Sequence, residues 1–234
     1  MSNLPAPFSM KHPVGTDTWI KPFLRLGRFS AKLARFFVRT DVDLHVLPEP
    51  TIIAANHRSL LDFVVGFGAA GEYPRATRIL INERYFRSGI LARILNRIGA
   101  IPTPEKGARD ALAGGISELK RGASVIIMPE GKLVKEQHRV AGLGELRKGV
   151  SVLAYESGVP VTPVAVIGTE RAWPIGGLPR RRLPRRRVVM CRACSPVYLT
   201  STDHDMNLRV LREAMTDCLK SAERQYEERY GREY

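Results

Sequence analysis

A chain of 234 residues with 44% apolar side chains can bury one sizeable core, which argues against a largely disordered protein. Its 37 Lys and Arg against 23 Asp and Glu leave a formal charge of +14, which favours anionic partners: phospholipid head groups, nucleic acid or an acidic carrier protein. No run of about 18 apolar residues occurs, so a spanning helix is not expected, and the proline-broken start "MSNLPAPFSMKHPVG" has no uninterrupted apolar stretch of the kind a secretory signal needs. Three cysteines, Cys191, Cys194 and Cys218, are an odd number, which argues against a disulfide framework and for a reducing, cytoplasmic setting. Cys191 and Cys194 form a CxxC inside a strand-like run, with no second pair or nearby histidines to complete a zinc site, so they read as ordinary strand cysteines.

The first element in chain order is Trp19 to Arg39, where Lys21, Arg25, Arg28, Lys32, Arg35 and Arg39 recur at steps of four and three. That spacing lays a basic stripe along a helix, with Phe23, Phe29, Leu33, Phe36 and Phe37 over the rest. Such a helix suits a membrane interface, with apolar side chains entering the acyl boundary and cations meeting anionic head groups. It equally suits a core-packing helix with a solvated charged face.

Short β-branched runs then alternate with helical patterns. Thr51–Ala55, Arg78–Ile81, Ser124–Met128, Pro160–Ile167 and Arg187–Ala193 read as strands, several nearly all apolar, as in a sheet covered on both faces. Helices are expected over Leu60–Gly68, Gly89–Ile98, Ala108–Lys120 and Leu143–Ser157. A long closing helix runs from Asp203 to about Arg229, with Thr202 or Asp203 as its cap. The expected fold is α/β: a layered mixed sheet flanked by helices, with residues 1–40 as an N-terminal tail and basic amphipathic segment and residues 41–234 as the α/β domain. "PRRRLPRRR", Pro179 to Arg187, places six arginines in nine residues and reads as an exposed loop facing an anionic surface. It lacks the interleaved aromatics of nucleic-acid binders, and no nucleic-acid motif occurs elsewhere, so no nucleic-acid partner is expected.

Candidate chemistry begins at "NHRSLLD". His57 and Asp62 are five residues apart, and on one helix they would diverge by about 140°. They meet only if His57 precedes the helix, and Ser59 supplies that break as an N-cap, with Asp62 in the capping-box position. His57 then lies in the turn after a strand, at the sheet edge where open α/β folds place their sites. Asp62 would hold one imidazole nitrogen and leave the other to take a proton from a hydroxyl. The same residues also fit a plain arrangement, with Asp62 only capping and His57 bonded to a loop carbonyl. A second strand end, "IIMPEGKLVK", brings Glu130 and Gly131, with Lys132 and Lys135 close behind. Pro160 and Pro163 flank an apolar strand, which suits an edge position or a strand start.

Taken together, "NHRSLLD", "MPEG" and "VPVTPVAV", over about Thr51 to Val197, resemble the glycerolipid acyltransferase family that includes 1-acylglycerol-3-phosphate acyltransferases. The resemblance implies acyl transfer from an acyl-CoA or acyl carrier protein thioester to a hydroxyl of a lysophospholipid at a membrane surface, with His57 as general base and Asp62 orienting it. It implies that Glu130 and Gly131 help hold the acceptor and that Pro160 and Pro163 belong to a structural element near the donor. Two departures stand out: "GAIPTPEKG" carries Glu105 and Lys106, and "PEGKL" carries Lys132 and Leu133, where the family usually has phosphate-gripping arginines. Arg58, Lys132 and Lys135 are the cations left to compensate, as point charges without arginine's fork.

The thioester is already activated, so no cofactor or metal is expected. The partners expected are the thioester donor, a lipid acceptor and an anionic membrane, so the protein is expected to be cytoplasmic and peripherally membrane-associated. Acylation of a non-phosphorylated glycolipid or specialised metabolite remains a second reading. A catalytically silent lipid- or carrier-binding module is the third.

Overall fold

The computed structural model describes residues 18–45, 47–72, 76–87, 89–103, 112–178 and 187–231. Seven strands form one sheet in the order β1 (Val38–Asp43), β7 (Arg187–Ala193), β6 (Val161–Ile167), β2 (Ile52–Ala55), β5 (Ser124–Ile127), β3 (Thr77–Asn82), β4 (Ile101–Thr103). Neighbours are parallel except β6 and β7, so the sheet is mixed, as the alternation of apolar runs and helical patterns implies.

Side-chain alternation divides the core in two. Ile52, Val161, Ala165, Ile167, Val188 and Met190 pack with α4 (Ala113–Lys120), α5 (Gly149–Ser157) and α7 (His204–Tyr230) on one face. Their strand neighbours Ala55, Val164, Val166, Val189 and Cys191, together with Ile79, pack with α1 (Ile20–Phe37), α2 (Leu60–Glu72) and α3 (Gly89–Arg97) on the other.

α1 and α2 approach closely because small residues line their contact. A Cβ on Gly71 would lie 2.5 Å from the Gly27 Cα, and one on Gly68 would lie 2.9 Å from the Ala31 Cα. This packing explains why α2 continues through glycines that the sequence suggested as its end. It also gives Gly27, a poor helix former, a packing role within α1. The helix stops at Phe37, short of the expected Arg39, and the chain runs directly into β1, where Arg39 lies over the Tyr230 ring at 5.7 Å. β1 and β4 were not expected: "VRTDVD" is polar and lies at a sheet edge, and β4 is three residues long. The long closing helix appears as read, with Asp203 as its cap, accepting from the Asp205 and Met206 N–H groups.

Two expectations are corrected here. Pro163 lies neither at an edge nor at a strand start, but inside β6, between β2 and β7. It sits where the regular β7 ladder stops, one residue before the Val164–Ala193 pair; Cys194, just past β7, still donates to the Pro163 carbonyl at 3.0 Å, so the proline costs the sheet no more than one donor at a strand end. Pro160 does immediately precede β6, and its carbonyl accepts from the Ile52 N–H at 2.9 Å.

The second correction concerns the cysteines. Cys194 and Cys218 form a disulfide, their Cα atoms 5.8 Å apart; only Cys191 is free, and only it lies in a strand. An odd count excludes complete pairing, not a single bridge. Cys191 and Cys194 are three apart, so they serve opposite faces of the sheet. Packing of α7 then brings Cys218 to Cys194 from 24 residues away.

Candidate active site

β2 ends at Ala55, and the next four residues turn the chain into α2. Asn56 fixes the turn by imitating a strand residue: its side-chain amide donates to the Val166 carbonyl at 2.8 Å and its oxygen accepts from the Val166 N–H at 2.7 Å. Ser59 caps α2, accepting from the Leu61 N–H at 3.1 Å and donating to the Trp173 carbonyl at 2.6 Å. Asp62 reaches back to the Ser59 N–H at 2.7 Å and the Arg58 N–H at 2.5 Å. The capping box expected from sequence is therefore present, with aspartate in the carboxylate position.

The same carboxylate meets His57. Asp62 Oδ2 lies 3.2 Å from His57 Nδ1, with Asp62 side chain fully buried and the imidazole 17% exposed. An ionised carboxylate only accepts, so Nδ1 is the donor in this contact, and in a neutral imidazole that leaves the lone pair on Nε2. Thr169 completes the shell by donating its hydroxyl to Asp62 Oδ1. The chain reaches Thr169 through Gly168 at φ +89°, where a Cβ would stand 2.4 Å from the Val188 carbonyl oxygen. Only glycine makes that turn without displacing β7.

Glu130 stands after β5 and is buried. One carboxylate oxygen accepts from the His57 N–H and the other from the Gly144 N–H, each at 2.8 Å. Glu130 therefore ties the histidine turn to the loop before α5. That use of loop amides, with the Arg147 N–H donating to the Pro129 carbonyl at 2.8 Å, explains why α5 begins at Gly149 and not at Leu143. Gly144 is required, since a Cβ there would lie 2.6 Å from Glu130 Oε2.

The cations divide. Arg58 is buried, its guanidinium 3.7 Å from Glu170 and 3.9 Å from Glu223, and it donates to the Gly142 carbonyl at 3.2 Å. Burial pushes the Glu223 carboxyl above its usual range, Arg58 pulls it back, and Glu170 and Glu227 add repulsion. Arg58 is thus committed to the protein interior. Lys132 and Lys135 are exposed beside Gly131, and Arg147, absent from the sequence reading, joins them: a Cβ on Gly131 would touch its Cγ at 3.5 Å. Glu105, Lys106 and Pro179–Arg186 lie outside the described residues. Among the described residues no cluster of three or more His, Cys, Asp or Glu is placed to hold a metal ion.

The structure thus brings His57, Asp62, Glu130 and Gly131 together at the carboxyl ends of β2 and β5. Pro163 is joined to them through the sheet, paired with Ala54 of β2. The sequence reading missed Asn56, Thr169 and Gly144, whose partners lie 110, 107 and 14 residues away.

His57, Asp62, Glu130 and Gly131 lie inside the segment that matches a known family: residues 38–167 fit the Acyltransferase family model, and Thr169 stands two residues past its end. The chain belongs to the acyltransferase family. A 1-acyl-sn-glycerol-3-phosphate acyltransferase of Pseudomonas aeruginosa is 29% identical over 175 residues, covering 73% of this chain and 63% of that protein. The chloroplastic 1-acyl-sn-glycerol-3-phosphate acyltransferase BAT2 of Brassica napus is 29% identical over 147 residues, 60% of this chain and 40% of that protein. The matched segment therefore spans less than two thirds of either relative. The crystal structure of the 1-acyl-sn-glycerophosphate acyltransferase PlsC from Thermotoga maritima shares the fold, with a TM-score of 0.61 and 20% identity over 86% of this chain and 78% of that one.

Proposed function

We propose that this protein transfers an acyl group from a thioester to the hydroxyl of a lysophospholipid such as lysophosphatidic acid, with His57 as general base. The observation that carries the reading is the imidazole whose Nδ1 is held by a buried carboxylate while Nε2 is left to accept. In this mechanism Nε2 removes the acceptor hydroxyl proton as the oxygen attacks the thioester carbonyl. The tetrahedral oxyanion collapses, and the thiolate leaves and takes up the proton. Asp62 keeps the imidazole in the productive tautomer and stabilises the imidazolium. Glu130 fixes the loop carrying His57. The thioester supplies the activation, so neither metal nor redox cofactor enters a step.

The donor is acyl-CoA or an acyl carrier protein. The acceptor's phosphate is met by Lys132, Lys135 and Arg147 around Gly131. Burial of Arg58 between two carboxylates favours a second reading, in which the acceptor is a phosphate-free glycolipid or related hydroxyl compound. The basic helix α1, with Lys21, Arg25, Arg28, Lys32 and Arg35 exposed and bordering outward Phe29, Leu33 and Phe36, holds the enzyme peripherally on anionic lipid.

Thiol release from acyl-CoA and from acyl carrier protein, measured with lysophosphatidic acid and with a monoacylglycerol, tests this. His57→Ala should lower turnover about 100- to 10,000-fold with the true acceptor while leaving the circular dichroism spectrum unchanged. Equal activity in wild type and variant would exclude His57 as the base. His57-dependent activity with the neutral acceptor alone would establish the second reading.

A further inference from the structure

The two helical layers leave different chemistry uncovered. α7, over one face, interleaves six acidic and five basic residues, a pattern suited to water. α1 and α3, over the other face, contain no acidic residue. Both turn apolar side chains outward, and on α3 this is pronounced. The helix buries only Leu95 along its length, whereas Ile90 is 73% exposed, Leu91 38% and Ile94 40%. At positions 90, 91 and 94 the three share one side of the helix. Arg93 and Arg97, both exposed, flank that stripe. A helix turned toward water would carry the opposite distribution, and a contiguous outward apolar stripe marks an interaction surface.

The α3 stripe is not isolated. Leu95 and Ile98 join Trp19, Phe23 and Phe67 in one core cluster, and a Cβ on Gly99, just past α3, would meet the Trp19 side chain at 2.7 Å. The end of α3 is therefore wedged against the start of α1, whose own outward stripe has the same composition. At the start of α2, in the same layer, exposed Leu60 and Phe63 flank Asp62 in sequence.

We propose that α3 is a second membrane-inserting element. Ile90, Leu91 and Ile94 enter the acyl boundary of an anionic phospholipid bilayer, and Arg93 and Arg97 meet its head groups. α1 and α3 then seat the same helical layer on the lipid, with the mouth of the site at its border. A lipid surface fits better than a protein partner because two acid-free stripes on one layer, apolar in the middle and basic at the flank, make the same demand of their surroundings. This inference rests on the reading that the acceptor is a membrane lipid.

The test uses the full chain and vesicles of phosphatidylglycerol with phosphatidylcholine. Ile90→Ser combined with Ile94→Ser should weaken partitioning roughly 10- to 100-fold, and Ile90→Trp should add emission that acyl-chain-brominated lipid quenches beyond the background of Trp19 and Trp173. Unchanged partitioning of the double variant, or no added quenching, would overturn the proposal. So would a concentration-dependent dimer that the double variant abolishes without loss of vesicle binding, because the stripe would then be covered by a second copy. Transfer to detergent-dispersed acceptor separates the two readings, since it needs no bilayer. The double variant should match wild type there, and absence of transfer in wild type would defeat the enzymatic reading while partitioning still decides the role of α3.

Discussion

At the scale of single residues, the weight of the site falls on Asp62, whose two carboxylate oxygens are shared among one side chain to be oriented, one hydroxyl and two backbone amides. Thr169 is the member of that set that acts only through Asp62. Thr169→Val removes its donor while preserving shape, which frees the Asp62 carboxylate to turn away from the imidazole it orients. The expected outcome is a kcat about 10-fold lower with an unchanged KM for the acceptor. Thr169→Ser, which keeps the hydroxyl, should restore the rate. Steady-state kinetics measure all of this, and a Ser variant as slow as the Val variant, or a loss that falls on KM, would make Thr169 a packing residue instead.

At the scale of elements, β1 shows how an edge strand with a polar sequence is held. Asp41 on β1 meets Arg192 on β7 at 2.7 Å, Arg229 at 3.2 Å and the Tyr230 hydroxyl at 2.7 Å, so one carboxylate joins two strands to the end of α7. Burial alone would raise its pKa, but the Tyr230 hydrogen bond and the two guanidinium groups together hold it below the usual aspartate range. A depressed folded-state value means that the folded protein binds this proton less readily than the unfolded chain. The associated stability is therefore complete above the ordinary aspartate pKa and disappears as pH falls through the lowered one. Asp41→Asn should cost about 2 kcal/mol at neutral pH, and urea denaturation should show that difference shrinking as pH falls below the ordinary aspartate value of about 3.9.

Such long-range ties mark the limit of reading a chain from its local pattern. The turn joining β2 to α2 was legible because all its parts, His57, Ser59 and Asp62, lie within six residues and obey capping rules. The five apolar strands were legible because burial on both faces leaves a continuous apolar run. Edge strands β1 and β4 were not, since an edge needs no such run. Pro163 misled because its tolerance depends on where β7 stops. The role of Glu130 as a bridge between loops depends on an amide at Gly144, and the choice of Arg58 for an interior position depends on Glu170 and Glu223, all of which only the fold brings near. The paired Cys194 and Cys218 belong with these: their separation in sequence carries no signal, whereas the register of α7 on β7 does.

At the scale of the whole molecule, the charge of +14 is unevenly placed. The exposed cations of α1 and α3 occupy one helical layer with no acidic residue on either helix, while α7 on the opposite layer nearly balances itself. No described helix is long and apolar enough to cross a membrane. The proposed attachment through this layer would add a screened electrostatic contribution to an unscreened apolar one. Each basic residue near an anionic leaflet contributes about 1 kcal/mol, and the contribution decays within a Debye length, about 30 Å at 0.01 M salt and about 3 Å at 1 M. Partitioning onto phosphatidylglycerol vesicles should therefore fall at least about 100-fold between those ionic strengths and approach the weak value measured on pure phosphatidylcholine, which the outward Phe, Leu and Ile side chains set. Vesicle flotation across a salt series makes the measurement. Binding that ignores both salt and lipid charge would remove electrostatics from the attachment, and it would leave the cations of this layer to an acidic carrier protein, whose affinity should then carry the salt dependence that the vesicles lack.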